Sequence, residues 1–288
     1  MNTSLSVVIV TYGSRGVIGD CLDSLQKYND IGDGLQVIVV DNSPAGDATF
    51  GFVRDTFPWV ELIKNETNQG FGQGNNIGAK RAAGEYLLFL NPDTYLIEPI
   101  FRYAVERFKE DPALGLFGMH LVSPKGRYSK SFGLMPERKG ILPAVLYLPW
   151  ILYLHRTPTG IFPWGANLFI RREEFLEIGG FDEKIFICYE EPDLVRRLTR
   201  KKVRIFPRKI VHLGDHTTEN VERRLSLYLE SERYYFAKHN LDYRRYIGKA
   251  LFTLRARQVF NRLLRIGTDR TSGYLIHAYR QQLGTPRS

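Results

Sequence analysis

Cysteine is almost absent: the 288 residues include two, Cys21 and Cys188. They form neither a CxxC pair nor a metal-ligand spacing, which excludes a disulfide framework and a thiolate zinc site and points to a reduced, cytoplasmic chain. Long apolar runs are also missing. Ile141–Leu154 carries no charge over fourteen residues but contains Pro143 and Pro149, and it is shorter than the roughly twenty residues that span a bilayer. It reads as a buried or interfacial segment. Met1–Ser4 has no basic residue, and Val7–Val10 is too short for a signal peptide. Acidic residues are scarce at the other end. From Asn240 onward ten Lys and Arg face only Asp242 and Asp269, so this stretch holds +8 of the formal net charge of +9. A basic tail on a near-neutral body argues against nucleic acid and for an anionic membrane surface.

What is present is enough apolar and aromatic residue for a real core, 43% and 13%, in the order of an α/β fold. Leu5–Thr11 and Leu35–Asp41 read as strands. Between them Val17, Leu22, Leu25 and Tyr28 have helical spacing. Val60–Lys64 reads as a third strand, Asn68–Gly78 as a Gly/Asn-rich loop, and Ala79–Ala83 as a helix. The run Tyr86–Leu90 reads as a strand buried on both faces, with a helix over Ile100–Glu110 after it. Alternation of this kind predicts a doubly wound, mostly parallel sheet. Further on, the pattern predicts a strand at Asn167–Ile170, helices at Arg172–Ile178 and Pro192–Lys202, strands at Val203–Pro207 and Ile210–His212, and helix after Thr218.

The strand ends carry the chemistry. Pro92 stops the run Tyr86–Leu90, which delivers Asp93 to the carboxyl edge of the sheet, where open α/β sheets bind ligands. A carboxylate there can hold a divalent cation, although Asn91-Pro92-Asp93 is also ordinary turn chemistry. Thr11-Tyr12 and Asp41-Asn42-Ser43 end the first two strands. Asp41 can accept a base imide N–H and Tyr12 can stack on the base; the competing reading is that each polar group caps the next helix or turn. The glycines of Asn68–Gly78 run G-x-G-x-G after the third strand, which is not a dinucleotide fingerprint. They suit close approach to a nucleotide-sugar. Glu190, Glu191 and Asp193 gather around Pro192 at a helix start; either glutamate can be a general base, and aromatic neighbours would raise its pKa. His212 can complete a cation shell with Asp93.

In that order and spacing the chain resembles family-2 glycosyltransferases of the GT-A fold, nearest the bacterial rhamnosyltransferase-like branch. The likeness runs from about Leu5 to His239. It rests on Val10-Thr11-Tyr12, Val40-Asp41-Asn42-Ser43, the Asn68–Gly78 glycines and Leu90-Asn91-Pro92-Asp93. Trp164-Gly165-Ala166, Arg171-Arg172 through Gly179-Gly180-Phe181-Asp182-Glu183, and Tyr189-Glu190-Glu191-x-Asp193-Leu194 complete it. The resemblance implies a GT-A domain over 1–239, with 240–288 as a basic helical extension. It implies that Thr11, Tyr12 and Asp41 hold base and ribose, and that Asn68, Gly70, Gly74, Asn75, Asn91, Trp164 and Gly165 belong to the donor site. It gives Asp93 and His212 to a Mg or Mn ion, and the catalytic base to Glu191, with Glu190 its competitor because Glu-Glu stands where the family has Glu-Asp.

The implied activity is inverting, metal-dependent transfer of a sugar in polysaccharide biosynthesis. The donor expected is dTDP-rhamnose, with a UDP-sugar as the alternative, and the acceptor a saccharide or lipid-linked saccharide. A sugar nucleotidyltransferase is disfavoured because Arg15-Gly16 supplies no basic glycine loop after the first strand. A non-catalytic glycan- or membrane-binding module stays open as the alternative to an enzyme. In the tail, Phe252, Val259, Phe260 and Leu263 recur among Arg255, Arg257, Arg262 and Arg265. That composition suits a helix on the inner face of the cell membrane, or a homodimer made through the C-terminal helices.

Overall fold

A computed structural model describes residues 4–138, 160–214, 221–263 and 270–284; Ile141–Leu154 lies outside them. The chain divides into two compact units, Met1–Gly133 with Ile161–Thr217, and Leu134–Gly160 with Thr218–Ser288.

The first unit is built on strands β1 (Leu5–Thr11), β2 (Leu35–Asp41), β3 (Glu61–Lys64), β4 (Tyr86–Leu90), β5 (Thr94–Leu96) and β6 (Leu114–Val122). With β9 (Asn167–Arg171) and β10 (Lys202–His212) these make one eight-stranded sheet ordered β3-β2-β1-β4-β9-β6-β10-β5. β7 (Phe132–Leu134) and β8 (Ile161–Pro163) form a separate pair. Pairing is parallel between β1 and β2, β1 and β4, β2 and β3, and β6 and β10. β9 runs antiparallel between β4 and β6, and β5 antiparallel to β10. The sheet is therefore mixed, but β1 to β4 all point their carboxyl ends the same way. β4 is buried along its whole length, as expected of a central strand covered on both faces. Helices α1 (Ile18–Lys27), α2 (Thr49–Thr56), α3 (Phe71–Arg81) and α4 (Phe101–Glu110) follow the early strands, and α5 (Arg172–Glu177) and α6 (Glu190–Arg197) follow β9.

Three local expectations are corrected, and one strand is added. The Gly/Asn-rich stretch is mostly helix: α3 begins at Phe71. Its glycines serve packing, since a Cβ at Gly74 would stand 2.8 Å from a Val10 methyl and one at Gly78 would collide with Val8. The helix can lie this close to β1 only without side chains there. α6 starts at Glu190, so Pro192 is third in the helix, still within the turn whose N–H groups need no helical partner. It ends at Arg197 because the buried Glu174 carboxylate takes the Thr199 N–H (3.0 Å), the Thr199 hydroxyl (2.9 Å) and the Arg200 N–H (2.8 Å). The two late strands are one, β10, with an irregularity between Phe206 and Lys209 that accommodates Pro207. Finally, β6 is a central strand that the sequence does not announce. Gly115 and Gly118 interrupt its apolar pattern, and Gly118 leaves room for Pro163, 2.7 Å from where a Cβ would stand.

The second unit is helical: α7 (Val221–Lys238), α8 (Tyr243–Leu263) and α9 (Arg270–Gly284). In this division the helical unit takes in the chain from Thr218, and α7 supplies the centre of the bundle. Glu232 on α7 is fully buried and accepts hydroxyl hydrogen bonds from Tyr228 (3.1 Å), Tyr243 (3.1 Å), Tyr246 (2.9 Å) and Tyr279 (3.0 Å). One carboxylate thus ties three helices together, and burial near it drives the Tyr243 and Tyr279 hydroxyls strongly upward in pKa.

Candidate active site

Register brings the first polar group together. Thr11 ends β1 opposite Asp41, and Asp41 ends β2 opposite Lys64 of β3. The buried Asp41 carboxylate accepts hydrogen bonds from the Thr11 hydroxyl (2.8 Å), the Ser43 hydroxyl (2.6 Å) and the Lys64 ammonium (2.7 Å). Burial opposes its ionisation, but Lys64 and then the Ser43 and Thr11 hydroxyls outweigh burial and hold Asp41 below the usual carboxylate range. Tyr12, next in the chain, is exposed. Lys64 is the residue that sequence reasoning missed; its link to Asp41 appears only once β3 is known to pair with β2.

The glycine-rich segment is placed beside this group. Asn68 Oδ1 accepts the Gly70 N–H at 3.0 Å and receives the Asn42 amide at 3.4 Å. Gly70, at φ 98°, lies so tightly against the Phe186 carbonyl that no side chain fits. Asn75 is buried, and its amide donates to the Phe71 carbonyl at 3.0 Å. Gly70, Gly74 and Asn75 thus also meet protein neighbours.

A second group forms where β4 ends. The Asn91 N–H donates to the Ala166 carbonyl (3.1 Å), and Thr94 caps the Asn91 carbonyl (2.7 Å). That holds the Asn-Pro-Asp turn against the residue after Trp164-Gly165. Asp93 Oδ2 lies 3.2 Å from His212 Nε2, and the Leu213 N–H donates to the Asp93 carbonyl at 2.9 Å. The end of β10 and the end of β4 therefore offer one hard oxygen and one imidazole nitrogen together. No third His, Cys, Asp or Glu joins them among the described residues.

The third group is the carboxylate pair. Cys188 (φ 63°) and Tyr189 (φ 70°) are consecutive left-handed non-glycine residues directly before Glu190. Each such conformation costs of order 1–3 kcal/mol and is held by its surroundings, a device concentrated at functional sites. Glu190 turns inward and is 3% exposed. Burial, with the Glu191 charge beside it, raises its pKa well above the usual range. Glu191 keeps partial exposure, and its Oε1 accepts the Gly165 N–H at 2.7 Å. Burial raises its pKa too, against the backbone hydrogen bonds of Glu191 itself and Gly165. The helix start is braced by Arg197, which bonds Asp193 (2.8 Å) and the carbonyls of Ile178 (2.6 Å) and Gly180 (2.7 Å). Trp164, adjacent to Gly165, exposes 41% of its surface.

Residues 6–173 match the family described as Glycosyl transferase family 2. The chain is 28% identical over 211 residues to the O-antigen biosynthesis protein RfbC of Myxococcus xanthus, across 69% of this chain and 16% of that protein. It is 27% identical over 245 residues to an N-acetylglucosaminyl-diphospho-decaprenol L-rhamnosyltransferase of Mycobacterium tuberculosis, across 76% of this chain and 78% of the other. It thus spans a small part of the myxococcal relative and most of the mycobacterial one. In fold it is similar to S. aureus TarS 1–349 in complex with UDP, at TM-score 0.55 and 17% identity over 97% of this chain and 88% of that one. It is likewise similar to the mannosyltransferase PcManGT from Pyrobaculum calidifontis in complex with GDP-Man and Mn2+, at TM-score 0.51 and 17% identity over 97% and 82%. The architecture is GT-A.

Proposed function

The chain belongs to glycosyl transferase family 2, and on that premise we propose that it transfers a sugar from a nucleoside diphosphate to a saccharide or lipid-linked saccharide, with inversion, in polysaccharide biosynthesis. The observation that carries the reading is the division of labour between two adjacent glutamates. Burial raises the pKa of both carboxyls, that of Glu190 the further; Glu190 is 3% exposed, whereas Glu191 is partly exposed and fixed on the Gly165 N–H. A base must meet its proton, so Glu191 is the group that removes the acceptor hydroxyl's proton. The hydroxyl oxygen then bonds to the anomeric carbon as the bond to the diphosphate oxygen breaks on the opposite face, and no covalent enzyme intermediate forms.

On the donor side, Asp41 with Thr11 binds base and ribose, and the exposed Tyr12 ring covers the base. A nucleotide with a diphosphate also accounts for Asp93 and His212 standing together, since this donor set fits Mg or Mn with phosphate oxygens and water as the other ligands. Such an ion, when bound, neutralises the charge on the departing nucleoside diphosphate. Among donors we favour dTDP-rhamnose, because a mycobacterial relative is named a rhamnosyltransferase; a UDP-sugar is the alternative. A thermal-shift series of nucleotides with and without Mn²⁺ tests the reading, because a ligand of the folded state raises stability by mass action. Stabilisation by a nucleoside diphosphate plus metal supports it, and indifference to every nucleotide sinks it.

We also read α8 as the element that meets an anionic bilayer. Phe252 and Val259 are 58% and 60% exposed, and Arg255 and Arg262 are exposed with them. These positions, three to four residues apart, share one face of the helix. No helix among the described residues is long and apolar enough to cross a membrane. Apolar groups flanked by arginines suit the interface instead.

A further inference from the structure

The hairpin that continues β6 carries charge that the transfer chemistry above does not use. Its turn is well defined: the Gly126 N–H donates to the Ser123 carbonyl, the Ser123 N–H to the Arg127 carbonyl and the Ser129 N–H to the Leu121 carbonyl, each at 2.8 Å. Gly126 takes φ 72°, as the residue closing such a turn must. On this short hairpin Lys125, Arg127 and Lys130 all reach solvent. Lys209 joins them from β10, where it stands opposite His120 of β6. None of the four cations is ion-paired among the described residues. Glu98, which faces this part of β10, is engaged by the Arg208 guanidinium and the Lys209 backbone N–H, each at 2.7 Å. Four unpaired like charges repel one another and do nothing for a hairpin's stability.

Two exposed aromatic rings lie among them. Tyr128 is 45% exposed, with the Lys209 ammonium 5.5 Å from its ring centre and His120 5.3 Å away. The Lys130 ammonium is 6.0 Å from the Trp164 ring centre, and the Trp164 backbone N–H donates to the Ser131 carbonyl at 3.1 Å. Trp164 in turn precedes Gly165, the residue that holds Glu191. Continuous protein surface therefore runs from the basic carboxylate to an exposed indole and on to a cluster of cations. The hairpin leaves β6 after Val122, which stands opposite Val211, so it adjoins the His212 end of β10; its cations are additional to the Asp93 and His212 pair.

We propose that this hairpin is an acceptor subsite for a phosphate or diphosphate ester. The apolar face of the acceptor sugar packs on Trp164 with its hydroxyl toward Glu191, and the ester's negative charge lies among Lys125, Arg127, Lys130 and Lys209. The proposal rests on the glycosyltransferase reading and names the acceptor's chemical class. Two sources carry that chemistry, a sugar on a lipid diphosphate and a water-soluble polyol phosphate.

The test is calorimetric titration of the full chain with two matched pairs of probes. One pair is farnesyl diphosphate-linked N-acetylglucosamine against neutral farnesyl N-acetylglucosaminide; the other is ribitol 5-phosphate against ribitol. The phosphate-bearing member of at least one pair should bind about tenfold or more tightly, and the preference should weaken with added salt, as exposed charge contacts do. Which pair shows it identifies the source. In K125E/R127E/K130E the preference should vanish while the nucleotide thermal shift stays as in the wild type, which also shows that the variant is folded. Equal binding within both pairs, no binding by any probe, or a preference untouched in the variant would overturn the subsite. Failure of the wild type to respond to any nucleotide would instead overturn the transferase reading itself.

Discussion

Glu191 Oε1 stands 2.7 Å from the Gly165 N–H, and a Cβ on Gly165 would stand 2.8 Å from the same oxygen. The backbone amide fixes the carboxylate, and the missing side chain is what lets it come so close. Both halves of that relationship are open to test. Glu191→Gln should lower turnover by about 10²–10⁴, the usual worth of a general base, with nucleotide binding near the wild-type level. Gly165→Ala should displace the carboxylate and lower kcat while the protein remains folded. A dead Glu190→Gln beside an active Glu191→Gln would reverse the assignment.

The raised pKa values give two opposite pH signatures. Activity should rise with pH through the Glu191 pKa, above the ordinary glutamate range, because the base works deprotonated. Stability should behave the other way for Glu190. Its pKa is raised in the folded state, so folding takes up a proton; that stabilisation is complete below the unfolded glutamate pKa and lost as pH rises through the folded one. Glu190→Gln should therefore flatten the fall in melting temperature toward alkaline pH. An unchanged slope would rule Glu190 out as its cause.

Chelation should silence the protein if Asp93 and His212 hold a cation. Asp93→Asn should retain the fold, since among the described residues the side chain's ion-pair partner is His212 at 3.2 Å, and should lose turnover by the several kcal/mol that a Lewis acid supplies. Full turnover in EDTA would be fatal to this assignment.

Glu232 accepts hydrogen bonds from four tyrosyl hydroxyls of the helical unit. Glu232→Gln preserves its shape but removes acceptor capacity from the tyrosyl hydroxyls around it. The expected loss is about 1–3 kcal/mol for the buried group left unsatisfied, seen in denaturant unfolding. An unfolding midpoint equal to that of the wild type would show that the cluster does not hold α7, α8 and α9 together.

Vesicle co-sedimentation addresses α8. Binding should need anionic lipid, weaken with salt, and fall in Phe252→Ser/Val259→Ser, whose changed side chains are both exposed. If those substitutions instead convert a dimer to a monomer in solution and leave vesicle binding alone, the stripe joins two copies of the chain.

Much of the catalytic unit was legible because its signals are local. The unbroken apolar run Tyr86–Leu90 reads as a fully covered strand, and Pro92 ends it, so Asp93 is located without any partner in view. Asp41 and Thr11 were found in the same way, as polar residues closing Val/Ile-rich runs. The glycines of Asn68–Gly78 were misread because helix-breaking composition is a local tendency, whereas the demand they answer, a helix pressed onto Val8 and Val10, is tertiary. β6 was hidden for the same reason, its glycines facing Pro163 and the Arg200 backbone.

By itself, then, the sequence determined the family, the order of the early strands and helices, and the carboxylates at their ends, since each depends on period and punctuation along the chain. Tertiary structure decided which of two adjacent glutamates faces inward, that Lys64 neutralises Asp41, and that α7 belongs to the helical unit through Glu232. Those are properties of register and burial. A one-residue step along a helix turns a side chain by about 100°, from the core toward solvent, and Glu190 and Glu191 differ by that single step.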